Sequence, residues 1–236
     1  MRRKQLILCF LAIAVSLCFT GCFEEKNSYS KQGVCVVDNT SLRKEPSTKG
    51  QWISSLSLGE TVRIEGNPIK DEADPKVEYI KIKLSDGSSA YASTACIVRG
   101  AYAGVIQSTV KIYKRPDLLA ETNQQFELMD IVAVEEEKDD WIRVTGEGRV
   151  KSGWILKRSI RKDNEDIVTA VLLRKALRGK GTNLPREEME AIVAELPYRE
   201  NYFINKIMER YDDEPVFRAY DHEEPVASDG ASLPEN

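Results

Sequence analysis

The residues best suited to general acid and base chemistry form an acidic run, 135–137, followed by Asp139 and Asp140. A glycosidase would need two such carboxylates facing each other across a substrate cleft. Here the carboxylates crowd into a predicted loop just before Trp141. A solvated charge run is therefore favoured over a catalytic pair.

Histidine chemistry has a single candidate, His222, which lies in the acidic C-terminal tail. A Ser-His-Asp or Cys-His arrangement is therefore not expected in the folded part, and neither is a histidine zinc site. No glycine-rich phosphate loop follows a predicted strand. We expect no catalytic residue, no metal and no cofactor, and a protein that is not an enzyme.

The elements that carry these residues are repeated along the chain. Residues 42–46 (LRKEP) match 112–116 (IYKRP), and residues 56–64 match 126–134, both with an offset of 70. Further on, 79–82 matches 141–144 and 90–92 matches 153–155, with offsets of 62 and 63. The offset falls because the first copy has a longer predicted loop, from Asn67 to Val77.

Each copy predicts four or five short antiparallel strands. Residues 61–64 and 80–82 alternate apolar with polar side chains, as a half-buried strand does. Turn residues follow at 85–87 in the first copy and 146–148 in the second. About 60 residues of short strands can enclose a core by closing into a small barrel.

This order of motifs resembles the bacterial SH3-like (SH3b) domain, which is attached to cell-wall hydrolases and exported lipoproteins. The likeness covers 34–99 and 103–161. It is stronger in the second copy, which has Gly153-Trp154-Ile155 where the first has Ala90-Tyr91-Ala92. The resemblance implies a fold that is mainly β with α: two tandem small SH3-like β-barrels followed by a short C-terminal helical segment.

The resemblance also implies binding of peptides, often those of peptidoglycan, on a surface lined by aromatic rings. Alternation with Ile112 predicts that Tyr113 points outward. Trp52 has no aromatic counterpart and is predicted in an exposed loop. The alternative for every ring is half-buried packing. The candidate ligand contacts are Tyr113, Trp141, Trp154, Tyr79 and Tyr91.

Cys35 and Cys96 form an even pair of cysteines in the predicted mature chain. In SH3-like barrels the first and last strands run close together, which makes a disulfide between them feasible. At the matched positions the second copy has Val105 and Ser159, so both cysteines are missing together. The alternative is two buried thiols that do not meet, and no histidine is available to activate either one.

The N-terminus has the layout of an export signal. Three positive charges precede an apolar stretch from Leu6 to Phe19. The following Thr20-Gly21-Cys22 resembles the lipobox of bacterial lipoproteins, with Phe19 departing from the common pattern. Cys22 would then be the lipidated N-terminus, and Phe23 after it slightly favours the outer membrane or cell surface. The alternatives are an ordinary secretory signal or an uncleaved anchor.

After Ile160 the apolar spacing becomes helical and predicts three short helices. They would pack on each other, on the second barrel or on a partner. From 212 onward the chain is acidic and contains three prolines, which predicts disorder. The predicted organisation is a lipoprotein signal peptide at 1–21, a flexible tether at 22–33, barrels at 34–99 and 103–161, a three-helix segment at 163–211 and an acidic disordered tail at 212–236.

Between the basic N-terminus and the acidic tail the chain is close to neutral, which argues against a nucleic-acid binder. A basic stretch at 149–180 could meet anionic lipid or cell-wall polymer, although a solvated helix face is favoured. The sequence therefore predicts an exported, lipid-anchored protein that contacts the membrane through its N-terminal lipid. It would bind peptidoglycan or an extended peptide through its barrels. The alternative is a scaffold subunit of an envelope complex, or a surface receptor for a protein partner.

Overall fold

Fourteen strands and three α-helices make up the part of the chain that the computed structural model describes, residues 31–84, 86–180 and 184–212. The fold is mainly β, with two antiparallel sheets. The first sheet contains β1 (Gln32–Cys35), β2 (Thr40–Arg43), β3 (Trp52–Leu56), β4 (Thr61–Lys70), β5 (Glu78–Lys83), β6 (Ser89–Ser93) and β7 (Ile97–Arg99). The second contains β8 (Tyr102–Ile106), β9 (Val110–Tyr113), β10 (Glu121–Phe126), β11 (Ile131–Lys138), β12 (Trp141–Gly146), β13 (Ser152–Leu156) and β14 (Ile160–Arg161).

The two sheets have the same topology. The first has the strand order β3-β2-β6-β5-β4-β1-β7, and the second has β10-β9-β13-β12-β11-β8-β14. Each strand of the first sheet thus has its counterpart seven strands later. The duplication inferred from the sequence is confirmed at the level of strand order.

Equivalent residues also occupy equivalent surroundings. Val62 pairs with Gly33 in the first sheet, and Val132 pairs with Gly104 in the second. Both glycines lie where a β-carbon would crowd an isoleucine. It would lie 2.6 Å from Ile97 Cγ2 at Gly33 and 3.1 Å from Ile160 Cδ1 at Gly104.

Alternation along the strands builds one core inside each sheet. In β5 and β12 the apolar residues point inward and the basic residues between them outward. The first core contains Cys35, Leu42, Leu56, Val62, Ile64, Ile80, Ile82, Ala90, Ala92 and Ile97. The second core contains Ile106, Ile112, Phe126, Val132, Val134, Ile142, Val144, Ile155 and Ile160.

The three helices are α1 (Asn164–Leu177), α2 (Arg186–Ala194) and α3 (Tyr202–Asp212). They pack with residues of both sheets into a third cluster, the shared core, which includes Val34, Ile131 and the fully buried Phe203. Of the alternatives left open by the sequence, the helices therefore pack on one another and on the sheets.

A buried polar contact attaches α3 to α1. The Asp166 carboxylate accepts hydrogen bonds from Arg161 Nε at 2.5 Å and Asn201 Nδ2 at 2.8 Å. Asn201 Oδ1 in turn accepts from the backbone N–H of Phe203, at the start of α3. Because these buried groups satisfy one another, their burial is tolerated.

Contacts between the repeats are polar as well as apolar. The Arg149 guanidinium donates to the carbonyls of Ala95 at 2.9 Å and Ile97 at 2.6 Å. The neighbouring Gly148 N–H donates to the Val36 carbonyl at 2.7 Å. Arg149 lies in the second repeat and its acceptors in the first, so this turn fastens the two repeats together.

Several sequence predictions need correction at this level. Among the described residues the edge strands of each sheet do not pair with each other, so neither sheet closes into a barrel by backbone hydrogen bonds. The acidic run 135–137 lies in β11 rather than in a loop, because that strand extends to Lys138. Trp52 likewise begins β3 instead of occupying a loop. Strand β1 starts at Gln32, inside the segment predicted to be a tether.

Candidate functional site

A groove beside Trp141 is the main candidate site, and we call it the Trp141 groove. It has a volume of about 570 Å³ and lies between the β9–β10 turn and the β13 end of the second sheet. It is lined by Asp117, Leu118, Asp140, Trp141, Leu156, Lys157 and Arg158.

Trp141 is the predicted contact ring that lines this groove, and Tyr113 packs against it. Tyr113 and Trp141 pack edge to face, with ring centroids 5.0 Å apart and planes at 80°. Tyr113 also pairs directly with Trp154 across β9 and β13. Edge-to-face packing fixes the orientation of both rings before any ligand arrives.

The exposure of these rings differs from the sequence prediction. Tyr113 is only 9% exposed, because the ring of Trp141 packs against it. Trp141 and Trp154 are half-buried and keep part of their surface open. The accessible aromatic surface is therefore that of the two tryptophans, with Tyr113 supporting them.

The β9–β10 turn presents two leucines next to the groove. Leu118 is 65% exposed and Leu119 is 92% exposed. Asp117 holds the turn, because its carboxylate accepts from the Leu119 N–H at 2.9 Å and from Arg115. The hydrogen bond from the Leu119 N–H is the main reason that the pKa of Asp117 lies below its usual range. The hydrogen bond from Arg115 is the second reason. Sequence periodicity could not indicate that these two leucines are exposed, because both lie in a turn.

The lining of the groove carries both negative and positive charges. Asp117 and Asp140 supply carboxylates, whereas Lys157 and Arg158 supply cations. Lys157 is also bound to Glu137, which accepts further hydrogen bonds from Tyr102 and Lys162. Partial burial would raise the pKa of Glu137, but these hydrogen bonds outweigh burial and lower it to about 2. An apolar floor flanked by both signs of charge suits an extended ligand that carries amino and carboxylate groups.

The corresponding part of the first repeat is built differently. Tyr79 is only 4% exposed, and burial raises its pKa. Tyr91 is half-buried and pairs with Arg43, so a cation stands where the second repeat has Tyr113. The two predicted rings of this repeat therefore do not form an aromatic pair like that of Tyr113 and Trp141.

Cys35 and Cys96 are free thiols in the structure, and the disulfide that the sequence left open beside two separate thiols stays a prediction. Cys35 is buried in the first core, where its thiol donates to the Val37 carbonyl at 3.1 Å. Burial, as the largest influence, raises its pKa. Cys96 is half-exposed on a short 3₁₀ turn, so the two side chains have different surroundings. The register also shows that Cys35 matches Ile106, not Val105, because Cys35 pairs with Ile97 as Ile106 pairs with Ile160.

Other sequence predictions concern parts of the chain outside the described residues. They are the signal peptide at 1–21, the lipidation site Cys22, most of the tether and nearly all of the acidic tail. Within the described ranges, no helix is long and apolar enough to cross a membrane. Within those same ranges, no group of three or more His, Cys, Asp or Glu side chains could hold a metal ion.

Comparison with known proteins gave matches to solved structures alone. No protein-family model matches the chain, and no curated protein does. NlpC1 from Trichomonas vaginalis is 14% identical, with a TM-score of 0.25, over 61% of this chain and 51% of its own. NlpC2 from the same organism is 16% identical, also with a TM-score of 0.25, over 78% of this chain and 68% of its own. The chain thus spans about half the length of NlpC1.

These matches correct one expectation from the sequence. The prediction that the chain is not an enzyme does not stand against these matches. At this identity and TM-score the likeness assigns no particular activity to the chain.

Proposed function

We propose that this chain is a lipid-anchored protein of the bacterial cell envelope that binds peptidoglycan or another extended peptide through the Trp141 groove. In this proposal each repeat is an SH3-like unit, Cys22 carries the lipid, and the second repeat supplies the principal binding surface. The duplicated topology and the lipobox-like N-terminus support it.

The main support for the proposal is that the groove combines a rigidly packed ring with side chains of both charges. Trp141 is held edge-on by Tyr113, and Leu118 faces the same groove from a turn fixed by Asp117. Preorganised apolar surface loses little entropy when an extended peptide docks. The carboxylates of Asp117 and Asp140, together with the cations of Lys157 and Arg158, suit a peptide with free amino and carboxylate groups.

Two adjacent leucines provide a matched test. Leu118 lines the groove, whereas Leu119 lies beside it and is almost fully exposed. Leu118→Thr should weaken co-sedimentation of the full-length protein with purified sacculi by about fivefold to tenfold, from partial loss of one buried leucine contact. Leu119→Thr should leave binding unchanged. Because both side chains are exposed in the free protein, neither substitution should unfold it.

Two results would contradict the proposal. One is a parent protein that fails to sediment with sacculi at moderate salt. The other is equal loss of binding in the Leu118→Thr and Leu119→Thr variants.

The alternative is a scaffold or receptor role for a protein partner. It is favoured by a second groove of about 420 Å³ between the β3–β4 turn and α1, whose lining includes Leu58, Ile167 and Val171. Crosslinking in intact cells separates the two roles. A single crosslinked protein, together with a Trp141 groove that does not bind sacculi, would favour the scaffold.

A further inference from the structure

A row of hydrogen-bond donors crosses the outer face of the first sheet, away from the Trp141 groove. Gln32 pairs with Arg63, Arg63 pairs with Lys83, and Lys83 pairs with Ser89 across β1, β4, β5 and β6. We call these four residues the donor row. Neighbouring strands lie about 4.8 Å apart, so the row is about 14 Å long.

The central pair of this row is unfavourable for folding. Arg63 and Lys83 are both exposed and directly opposite each other, and like charges in such a pair destabilise a sheet. Among the described residues, neither side chain has a hydrogen bond or ion pair. Glu65, two residues from Arg63 on β4, is bound to Lys81 at 3.7 Å and to the Ser89 hydroxyl at 3.1 Å.

The equivalent row of the second repeat carries no charged side chain. It consists of Ala103, Ala133, Thr145 and Ser152, on the equivalent strands. Ala133 is fully buried and Ala103 nearly so, and α1 contacts both of their strands. The helix therefore covers the Ala103 and Ala133 end of this row in the second sheet, whereas the donor row of the first sheet is open and charged.

We propose that the donor row binds the phosphate groups of an extended anionic polymer. The guanidinium of Arg63, the ammonium of Lys83 and the side-chain amide of Gln32 donate hydrogen bonds. The oxygens of a phosphate group accept them. Arginine matches phosphate geometry with two parallel hydrogen bonds, and lysine adds a point charge. The like-charge pair, unfavourable in the free protein, becomes favourable when an anion lies between the two cations. This proposal does not depend on the peptide-binding role of the Trp141 groove.

The test uses the full-length protein and long-chain inorganic polyphosphate as the probe. The double variant Arg63→Ala, Lys83→Thr copies Ala133 and Thr145 of the second repeat. It should bind polyphosphate at least about tenfold more weakly, because two charge-assisted contacts are lost. The control variant Lys44→Ala, Lys49→Thr removes the same charge from exposed positions of the same repeat and should bind as the parent does.

Folding does not confound this comparison. Removing a like-charge pair should leave the melting temperature of the double variant equal to the parent's or higher. Glu65→Gln should tighten binding, because it removes a negative charge two residues from Arg63 on the same strand. The protein's net charge of −4 makes non-specific attraction of a polyanion unfavourable.

Three outcomes would overturn the proposal. The double variant could bind polyphosphate as tightly as the parent, or the control variant could lose as much affinity. In the third outcome, the parent binds vesicles of phosphatidylcholine and phosphatidylglycerol through Arg63 and Lys83 but not polyphosphate, which would assign the site to lipid headgroups.

Discussion

Gly153 is the residue whose substitution tests the geometry of the second repeat most severely. A β-carbon there would lie 2.5 Å from Ile112 Cγ2 and 2.8 Å from the Tyr113 carbonyl oxygen. Its φ of +151° is also one that L residues rarely adopt. The first repeat has Ala90 at this position, fully buried in the first core. The two repeats therefore differ in how closely the neighbouring strand approaches.

The expected cost of Gly153→Ala follows from these contacts. Overpacking costs about 1–3 kcal/mol, and an unfavourable backbone conformation adds about 1–3 kcal/mol. The sum is about 4 kcal/mol, which corresponds to a fall in Tm of about 10 °C for a chain of this size. Because the clash involves Tyr113, binding at the Trp141 groove should weaken as well.

Thermal unfolding followed by circular dichroism measures this cost. Gly104→Ala is the matched control, because its new β-carbon would lie 3.1 Å from the flexible end of Ile160. It should cost about 1 kcal/mol, at the low end of overpacking. If Gly153→Ala melts within about 2 °C of the parent, less than 1 kcal/mol for this chain length, the close approach described here is wrong.

Three other perturbations test the packing between elements. Arg149→Ala removes the donors to Ala95 and Ile97 and should lower the free energy of unfolding by about 2 kcal/mol. Arg149→Lys should recover part of this free energy. Urea denaturation measures both variants. Phe203→Ala empties a fully buried site and should lower the free energy of unfolding by about 3–5 kcal/mol. Hydrogen exchange should then show lost protection in α1 and α3. Unchanged exchange in these helices would contradict the shared core. The pKa of Glu137 is lowered to about 2 in the folded state from 4.5, so its contribution is present above pH 4.5 and is lost as pH falls towards 2. Glu137→Gln should therefore flatten the acid limb of the Tm profile, and an unchanged limb would refute the role of that carboxylate.

The duplicated sheet could be predicted from the sequence because matched apolar positions recur at nearly constant offsets. Val62 and Val132 are 70 residues apart, and they lie opposite equivalent glycines that are 71 residues apart. The failure of each sheet to close into a barrel could not be predicted in the same way. Closure depends on whether edge strands reach each other, and this is set by bends and bulges that leave no periodic signal.

The candidate site was predicted only in part, for a similar reason. Alternation with Ile112 correctly separates Tyr113 from the inward residues, but exposure also depends on what packs over the outer face. Trp141 covers Tyr113 there, and its ring comes from a strand 28 positions later in the chain. Leu118 and Leu119 escaped notice because a turn has no periodicity from which their exposure could be inferred.

The hydrogen bonds from Arg149 and Gly148 to the first repeat have a consequence for ligands that are polymers. Because these bonds and the shared core connect the two sheets, we expect the donor row and the Trp141 groove to keep a fixed separation. A polymer long enough to reach both surfaces would attach bivalently, without the entropy loss that a flexible linker imposes. Its avidity would then exceed the affinity of either surface, and would fall steeply for fragments too short to bridge them.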